Sequence, residues 1–190
     1  MKNYKITIQS ITPYMQHRMD DTKLEEWEKN HAFTNTRMEI AQADAVRAEY
    51  HCYRGVGESC FIPAEHIRGA CITAGTYVKG KAGAQTKSMK STVAGEWLIS
   101  PNEIAIPDYQ VIDKRSAVNK NVKARIMVIR PRWNDLKASF ELQVDNDSTP
   151  VSMIEQIFTF AGNKVGIGSY RPTSNGMFGR FKVISVTEIK

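Results

Sequence analysis

Near the end of the chain an apolar helix pattern gives way to Val165-Gly-Ile-Gly-Ser-Tyr-Arg-Pro-Thr-Ser-Asn-Gly-Met-Phe-Gly-Arg-Phe-Lys-Val183, and a strand pattern follows. This stretch constrains the fold more than any other. It carries four glycines, at 166, 168, 176 and 179. Glycine admits positive φ and lets another backbone come close, so the chain turns sharply here beside a ligand or a neighbour. Arg171 and Arg180, set among the glycines, point to an anionic ligand. The plain alternative is a glycine-rich connection between a helix and an edge strand.

Read from the start, Tyr4, Ile6, Ile8 and Ile11 alternate with polar residues, a half-buried strand stopped by Pro13. Thr22 to Asn30 reads as a charged surface helix. Thr34 to Glu49 reads as a second helix, capped by Thr34, with Met38, Ala41, Ala45 and Ala48 as its small-residue stripe. Residues 50–53 and 59–62 are two short strands joined by a turn at 54–58. Pro63 opens a helix whose buried face is Ile67, Cys71, Ala74 and Val78; Gly69 and Ala70 would let it lie close to a sheet. Residues 79–95 lack periodicity and read as a long loop, functional or disordered. Residues 97–99 and 104–106 are brief extended pieces. Residues 122–130 and 136–144 alternate and read as a hairpin joined through 131–135. Thr149-Pro150 caps a helix carrying Val151, Ile154, Phe158 and Ala161, with Gly162 at its end, and residues 180–189 form the last strand.

The well-supported elements, at 4–11, 63–78, 122–130, 136–144, 150–162 and 180–189, run strand, helix, strand, strand, helix, strand. That order predicts an α+β, ferredoxin-like (RRM-like) βαββαβ domain, one domain over 1–190 with insertions at about 13–62 and 79–121. Both helices would cover one face of the sheet and leave the other for binding.

Charge narrows the partner. The 190 residues carry a formal net charge of +6, which favours an anionic partner. Between Lys79 and Gly95 there are four lysines and no acid, and between Lys114 and Arg132 seven basic residues and no acid. Acids gather instead at Asp20, Asp21, Glu25, Glu26 and Glu28. Cys52, Cys60 and Cys71 are too few for a disulfide framework and form no CxxC pair, so neither a structural zinc site nor another metal or cofactor is expected. Cys52 and Cys60 could face each other across the 50–62 turn. With no signal core and no membrane-length apolar run, the expected compartment is a reducing cytoplasm, away from the membrane.

Lys79, Lys81, Lys87 and Lys90 are candidates for phosphate contacts, with a solvated loop as the plain reading. Arg115, Lys120, Lys123 and Arg125 form a candidate basic stripe, alternation setting Lys123 and Arg125 on one face. His17 and Arg18 stand where the first strand leaves the sheet. His17, His31, His51 and His66 show no catalytic spacing, and Asp145-Asn146-Asp147-Ser148 lacks the glycine and glutamate of a calcium loop. No catalytic residue is assigned.

The βαββαβ order, the opening Ile62-Pro63-Ala64-Glu65-His66-Ile67-Arg68-Gly69-Ala70 of the first core helix, and the glycine-rich segment before the last strand resemble the RAMP superfamily, which includes backbone subunits of CRISPR effector complexes. Thr12-Pro13-Tyr14-Met15 after the first strand, with the lysine-rich 79–90, is similar to short phage and prophage relatives. Typical members have small residues where this chain has Ala64-Glu65-His66. The resemblance implies non-catalytic binding of single-stranded RNA or DNA by repeated subunits in a homo-oligomer or filament, or alongside other subunits of a nucleoprotein complex. Tyr170, Phe178 and Trp97 would supply stacking and the lysines sequence-independent phosphate contacts. Two alternatives stand beside it: a metal-dependent endoribonuclease of the same superfamily, and a phage-encoded module that mimics a complex subunit.

Overall fold

The computed structural model describes residues 1–18, 37–55, 57, 59–82, 85–119, 124–145 and 149–189. The helix expected over 22–30, the acids at 20–28, His31, Thr34, Lys120, Lys123 and residues 146–148 lie outside the described residues, as do the side chains of Met38 and Lys81. In chain order the elements are β1 (Lys2–Ser10), β2 (Tyr14–Met15), α1 (Arg37–Tyr50), β3 (Phe61–Pro63), α2 (Ala64–Gly75), β4 (Lys79–Ala82), β5 (Gln85–Ser88), α3 (Lys90–Glu96), β6 (Trp97–Ser100), β7 (Glu103–Ala105), β8 (Val111–Asn119), β9 (Ala124–Trp133), β10 (Lys137–Val144), α4 (Val151–Phe160) and β11 (Phe181–Ile189). The chain is α+β, with four helices and several antiparallel sheets among the described residues.

The main sheet has four antiparallel strands in the order β11-β1-β10-β6, with α2 and α4 packed on it. Its strands and helices follow one another as strand, helix, strand, strand, helix, strand, as expected, but with one strand exchanged. The expected hairpin of 122–130 with 136–144 does not form. β9 runs on through Pro131 to Trp133 and pairs with β8 and β2 in a separate three-stranded sheet, while β6 takes the place beside β10. Alternation marks a half-buried strand without saying which strand it borders. At four residues, β6 is too short to alternate visibly. The intervening segments therefore number three, at 11–63, 76–96 and 101–136, rather than the two expected.

Alternation does place the core. Tyr4, Ile6 and Ile8 of β1, Ala138, Phe140, Leu142 and Val144 of β10, and Trp97 and Ile99 of β6 are buried on the helix side. Ile67, Cys71 and Ala74 of α2 and Ile154, Ile157 and Phe158 of α4 meet them, and Val78 is buried beside them. Phe158 is the central contact, stacked on Trp97 at 5.8 Å and tilted against Phe140 at 5.9 Å. The opposite face shows Asn3, Lys5, Thr7 and Gln9 from β1 and Lys137, Ser139, Glu141 and Gln143 from β10. These positions hold no aromatic side chain, so stacking of bases on this face has no platform there.

Several local expectations change. Within 79–95 the described residues form the paired strands β4 and β5 and the short α3 instead of an irregular loop. The buried face of α1 is Ala43, Asp44 and Ala48, whereas Ala41 is exposed; the helix packs on β8 and β9, and Lys114 of β8 ion-pairs with Asp44. Arg54 and Cys60 form an isolated antiparallel bridge, and β3 pairs with β7. Thr149 makes no cap; α4 starts after Pro150 and continues past Phe160 in a π-helical turn, Ala161–Val165.

Candidate nucleic-acid interface

The glycine-rich stretch folds back on the chain itself. Gly168 and Gly179 have φ of 74° and 71°, and both are tightly approached. A Cβ on Gly168 would overlap the Met15 carbonyl oxygen and the Tyr14 ring, and one on Gly179 the Ile167 carbonyl oxygen. The Ser169 N–H donates to Met15 O (2.8 Å), Gly179 N–H to Pro13 O (2.8 Å) and Ile167 N–H to Gly179 O (2.9 Å). The neighbour these glycines accommodate is thus the 13–15 segment and the loop's own return. Tyr170, with φ of 58°, is held at the outer bend by the bond from Phe178 N–H to its carbonyl (3.0 Å).

Folding this loop against α2 leaves a cleft of about 630 Å³. Glu65, His66, Gly69 and Thr73 of α2 line one wall, Gly166–Ser169, Arg171 and Thr173 the other, and His17 and Tyr53 the end. His66 stands edge-on to Tyr53 at 5.3 Å, and its Nδ1 is buried without a hydrogen-bond partner. Burial, then the nearby Arg171 charge, lower its pKa from the ordinary value, so its imidazole is neutral near pH 7. His17 stacks on His51 at 4.3 Å. The His51 Nδ1 lies 3.0 Å from the Arg18 carbonyl. Gly69, expected to let α2 approach a sheet, faces this open cleft instead.

A cationic strand face leads to the cleft. Register sets Asp113 opposite Arg130 and Arg115 opposite Val128, so Arg115, Arg130 and Arg132 share one face of the β8–β9 hairpin with a buried Asp113. The Arg115 Nε donates to Asp113 Oδ1 at 2.7 Å, and Arg132 Nη1 to Oδ2 at 2.8 Å. The Arg130 Nε donates to His17 Nδ1 at 3.3 Å, joining this face to the cleft. Burial first, then the like charge of Arg115, lower the Arg130 pKa against the opposing pull of Asp113. Three guanidiniums around one carboxylate leave excess positive charge that an anion can neutralise.

The residues singled out from sequence divide accordingly. Arg115 lies 4.6 Å from the Phe178 ring centroid and 5.8 Å from that of Tyr170, while the two rings meet edge-on at 5.7 Å. This contact docks the hairpin on the glycine-rich loop and occupies part of the two expected stacking platforms. Tyr170 remains 39% exposed; Trp97 is buried in the core and offers no platform. Arg125 is exposed on the opposite hairpin face from Arg115, so those two do not form one stripe. Arg171 is exposed at the cleft and donates to Gly168 O (2.9 Å). Arg180 donates to Asn163 O at 2.9 Å. Lys79, Lys87 and Lys90 are exposed along β4, β5 and the start of α3, and Lys81 falls opposite Thr86. Arg130, Arg132, His51, Tyr53 and His66 were missed as site residues. The alternating Arg130 and Arg132 could have been found by registering β9 on β8, whereas nothing in the spacing marks His66.

Among the described residues, no three His, Cys, Asp or Glu side chains gather as a metal site, and no helix is long and apolar enough to cross a membrane. No protein-family model matches the sequence, and no curated protein matches it significantly. Among solved structures, the fold is similar to a chain of the cryo-EM structure titled Type III-B Cmr-beta bound to cognate target RNA, with TM-score 0.51 and 12% identity. The match covers 100% of this chain and 61% of that one, so the present chain spans about three fifths of its length. A chain of a Type IV-B CRISPR complex matches at TM-score 0.47 and 12% identity, over 97% of this chain and 90% of that one. At such identity the first likeness speaks to fold alone, and the second is too weak to carry an argument. The protein thus has a fold similar to part of one chain of the target-RNA-bound Type III-B Cmr-beta structure.

Proposed function

We propose that this protein binds single-stranded nucleic acid without chemistry of its own, as a RAMP-like subunit of a self-assembling backbone or a larger nucleoprotein complex. The observation that carries this reading is the convergence of Arg115, Arg130 and Arg132 on one strand face that reaches, through His17, a cleft holding Arg171 and a partnerless His66 nitrogen. Guanidiniums in that arrangement suit successive backbone phosphates, and the cleft has room for a nucleotide. The lysines of β4, β5 and α3 extend the positive surface elsewhere. The relative of similar fold that is bound to target RNA makes RNA the first probe.

The test is fluorescence anisotropy with labelled single-stranded RNA and DNA over a salt series. Affinity is expected to fall steeply with salt. Arg115→Ala, Arg130→Ala and Arg171→Ala should each weaken binding about tenfold and lower the salt slope by roughly one. Joint replacement of Lys79, Lys81, Lys87 and Lys90 by alanine should weaken it further. Absence of binding at low salt, or wild-type affinity in the arginine variants, would overturn the reading; discrete RNA cleavage with magnesium would favour the endoribonuclease alternative.

A further inference from the structure

Two thiols lie together where the proposed binding role does not use them. The Cys52 and Cys60 sulfurs are 3.2 Å apart, and the Cys60 S–H donates to Asp108 Oδ1 at 3.3 Å. Both residues are buried, but Cys60 also lines a second cavity of about 780 Å³ with Glu49, Arg54, Ser59 and Asp108. The third cysteine, Cys71, is enclosed in the core and borders neither cavity.

The backbone around the pair is pinned at both ends. Tyr53 N–H donates to Gln16 Oε1 (2.8 Å), and the same Gln16 side chain donates from Nε2 to Phe61 O (2.7 Å). Phe61 N–H donates to Tyr53 O (3.0 Å), Gly55 N–H to Ser59 O (3.0 Å), and Arg54 bridges to Cys60. These bonds hold the two sulfurs in proximity. Bringing them to the disulfide bond length needs a shift of only about 1 Å. Among the described residues the two thiols and Asp108 do not form the ligand set of a metal centre, and two thiols this close can be joined by oxidation.

We propose that Cys52 and Cys60 form a reversible intramolecular disulfide, a thiol–disulfide switch entered through the Cys60 side. The oxidant is a low-molecular-weight disulfide. The Cys60 thiol gives its proton to solvent, and its sulfur attacks one sulfur of the oxidant. This forms a mixed disulfide and releases one reduced thiol. The Cys52 thiol then loses its proton and attacks the Cys60 sulfur. The Cys52–Cys60 bond forms, the bond to the small molecule breaks, and a second reduced thiol leaves. Two protein thiols are oxidised, one small-molecule disulfide is reduced, and two protons pass to the two departing thiolates. Burial raises both protein pKa values, so the reaction is slow near neutrality and quickens as pH rises.

The position of the pair matters for the cleft. Cys52 sits between His51, which stacks on His17, and Tyr53, which lines the cleft against His66. Any effect of oxidation on ligand affinity rests on the nucleic-acid reading. Formation of the bond does not, and it is read separately by mass.

The experiment incubates the folded protein with oxidised glutathione, blocks free thiols, and maps peptides under non-reducing conditions. Counted after unfolding, the expected product has lost two of its three free thiols. It carries a Cys52–Cys60 crosslink, returns to the starting mass with dithiothreitol, and melts at a higher temperature. Cys52→Ser should stop at a stable glutathione adduct on Cys60. Cys60→Ser should gain no adduct, and thermal melting of both variants checks that they remain folded. Persistence of all three thiols in the wild type, a crosslink to Cys71, or a lasting glutathione adduct on the wild type would each overturn the proposal.

Discussion

His66 carries the clearest consequence at the scale of a single residue. Its imidazole is held neutral by burial first and Arg171 second, so its folded pKa lies below the ordinary value of 6.5. The unfolded chain accepts a proton near that value and the folded chain does not. Acid therefore favours unfolding: the contribution is intact above pH 6.5, is lost as pH falls from there toward the folded pKa, and changes no further below it. Melting temperature is expected to drop as pH is lowered below 6.5, and His66→Gln to remove part of that drop. An equal drop in the variant, followed by differential scanning calorimetry, would show that other groups cause it. No periodicity announces His66, because its importance comes from two walls that meet only in the folded chain. Arg115 was legible as a cation, but the buried Asp113 that orders it and Arg132 became visible only with the strand register.

At the scale of elements, the glycine-rich stretch was rightly identified as the place where the chain needs unusual backbone, and its partner is the chain itself. Gly179→Ala would place a left-handed φ on an alanine and drive its Cβ into the Ile167 carbonyl. A loss of at least about 2 kcal/mol follows, measured by urea unfolding. Gly69→Ala is the contrasting substitution: it adds a methyl group to a helix facing open space, and is expected to hold or raise stability by up to about 1 kcal/mol. Equal effects of the two would contradict the geometry. The β4–β5 hairpin was hidden for a different reason. Its alternation is carried by Lys, Gly, Gln and Thr, which give no apolar periodicity although the backbone pairs from Lys79 to Ser88.

For the whole molecule, the decisive question is which strands share the main sheet. Phe158 joins α4 to Trp97 of β6 and Phe140 of β10, so Phe158→Ala should cost about 3–5 kcal/mol. Met127 of β9 is 64% exposed outside that core, and Met127→Ala should stay within about 0.5 kcal/mol of wild type. Comparable losses at both positions would return β9 to the core sheet.

Burial periodicity and charge are local properties of the chain, so the inward faces of β1, β10, α2 and α4, the strand-and-helix order around them and the excess of positive charge could all be read from the residues. Tertiary structure alone decided that β6 rather than β9 completes the sheet, that Arg115, Arg130 and Arg132 crowd around Asp113, and that α2 and the glycine-rich loop enclose a cleft. Those outcomes depend on which distant segments pair. Pairing is set by packing across the whole chain, and no short stretch of residues encodes it.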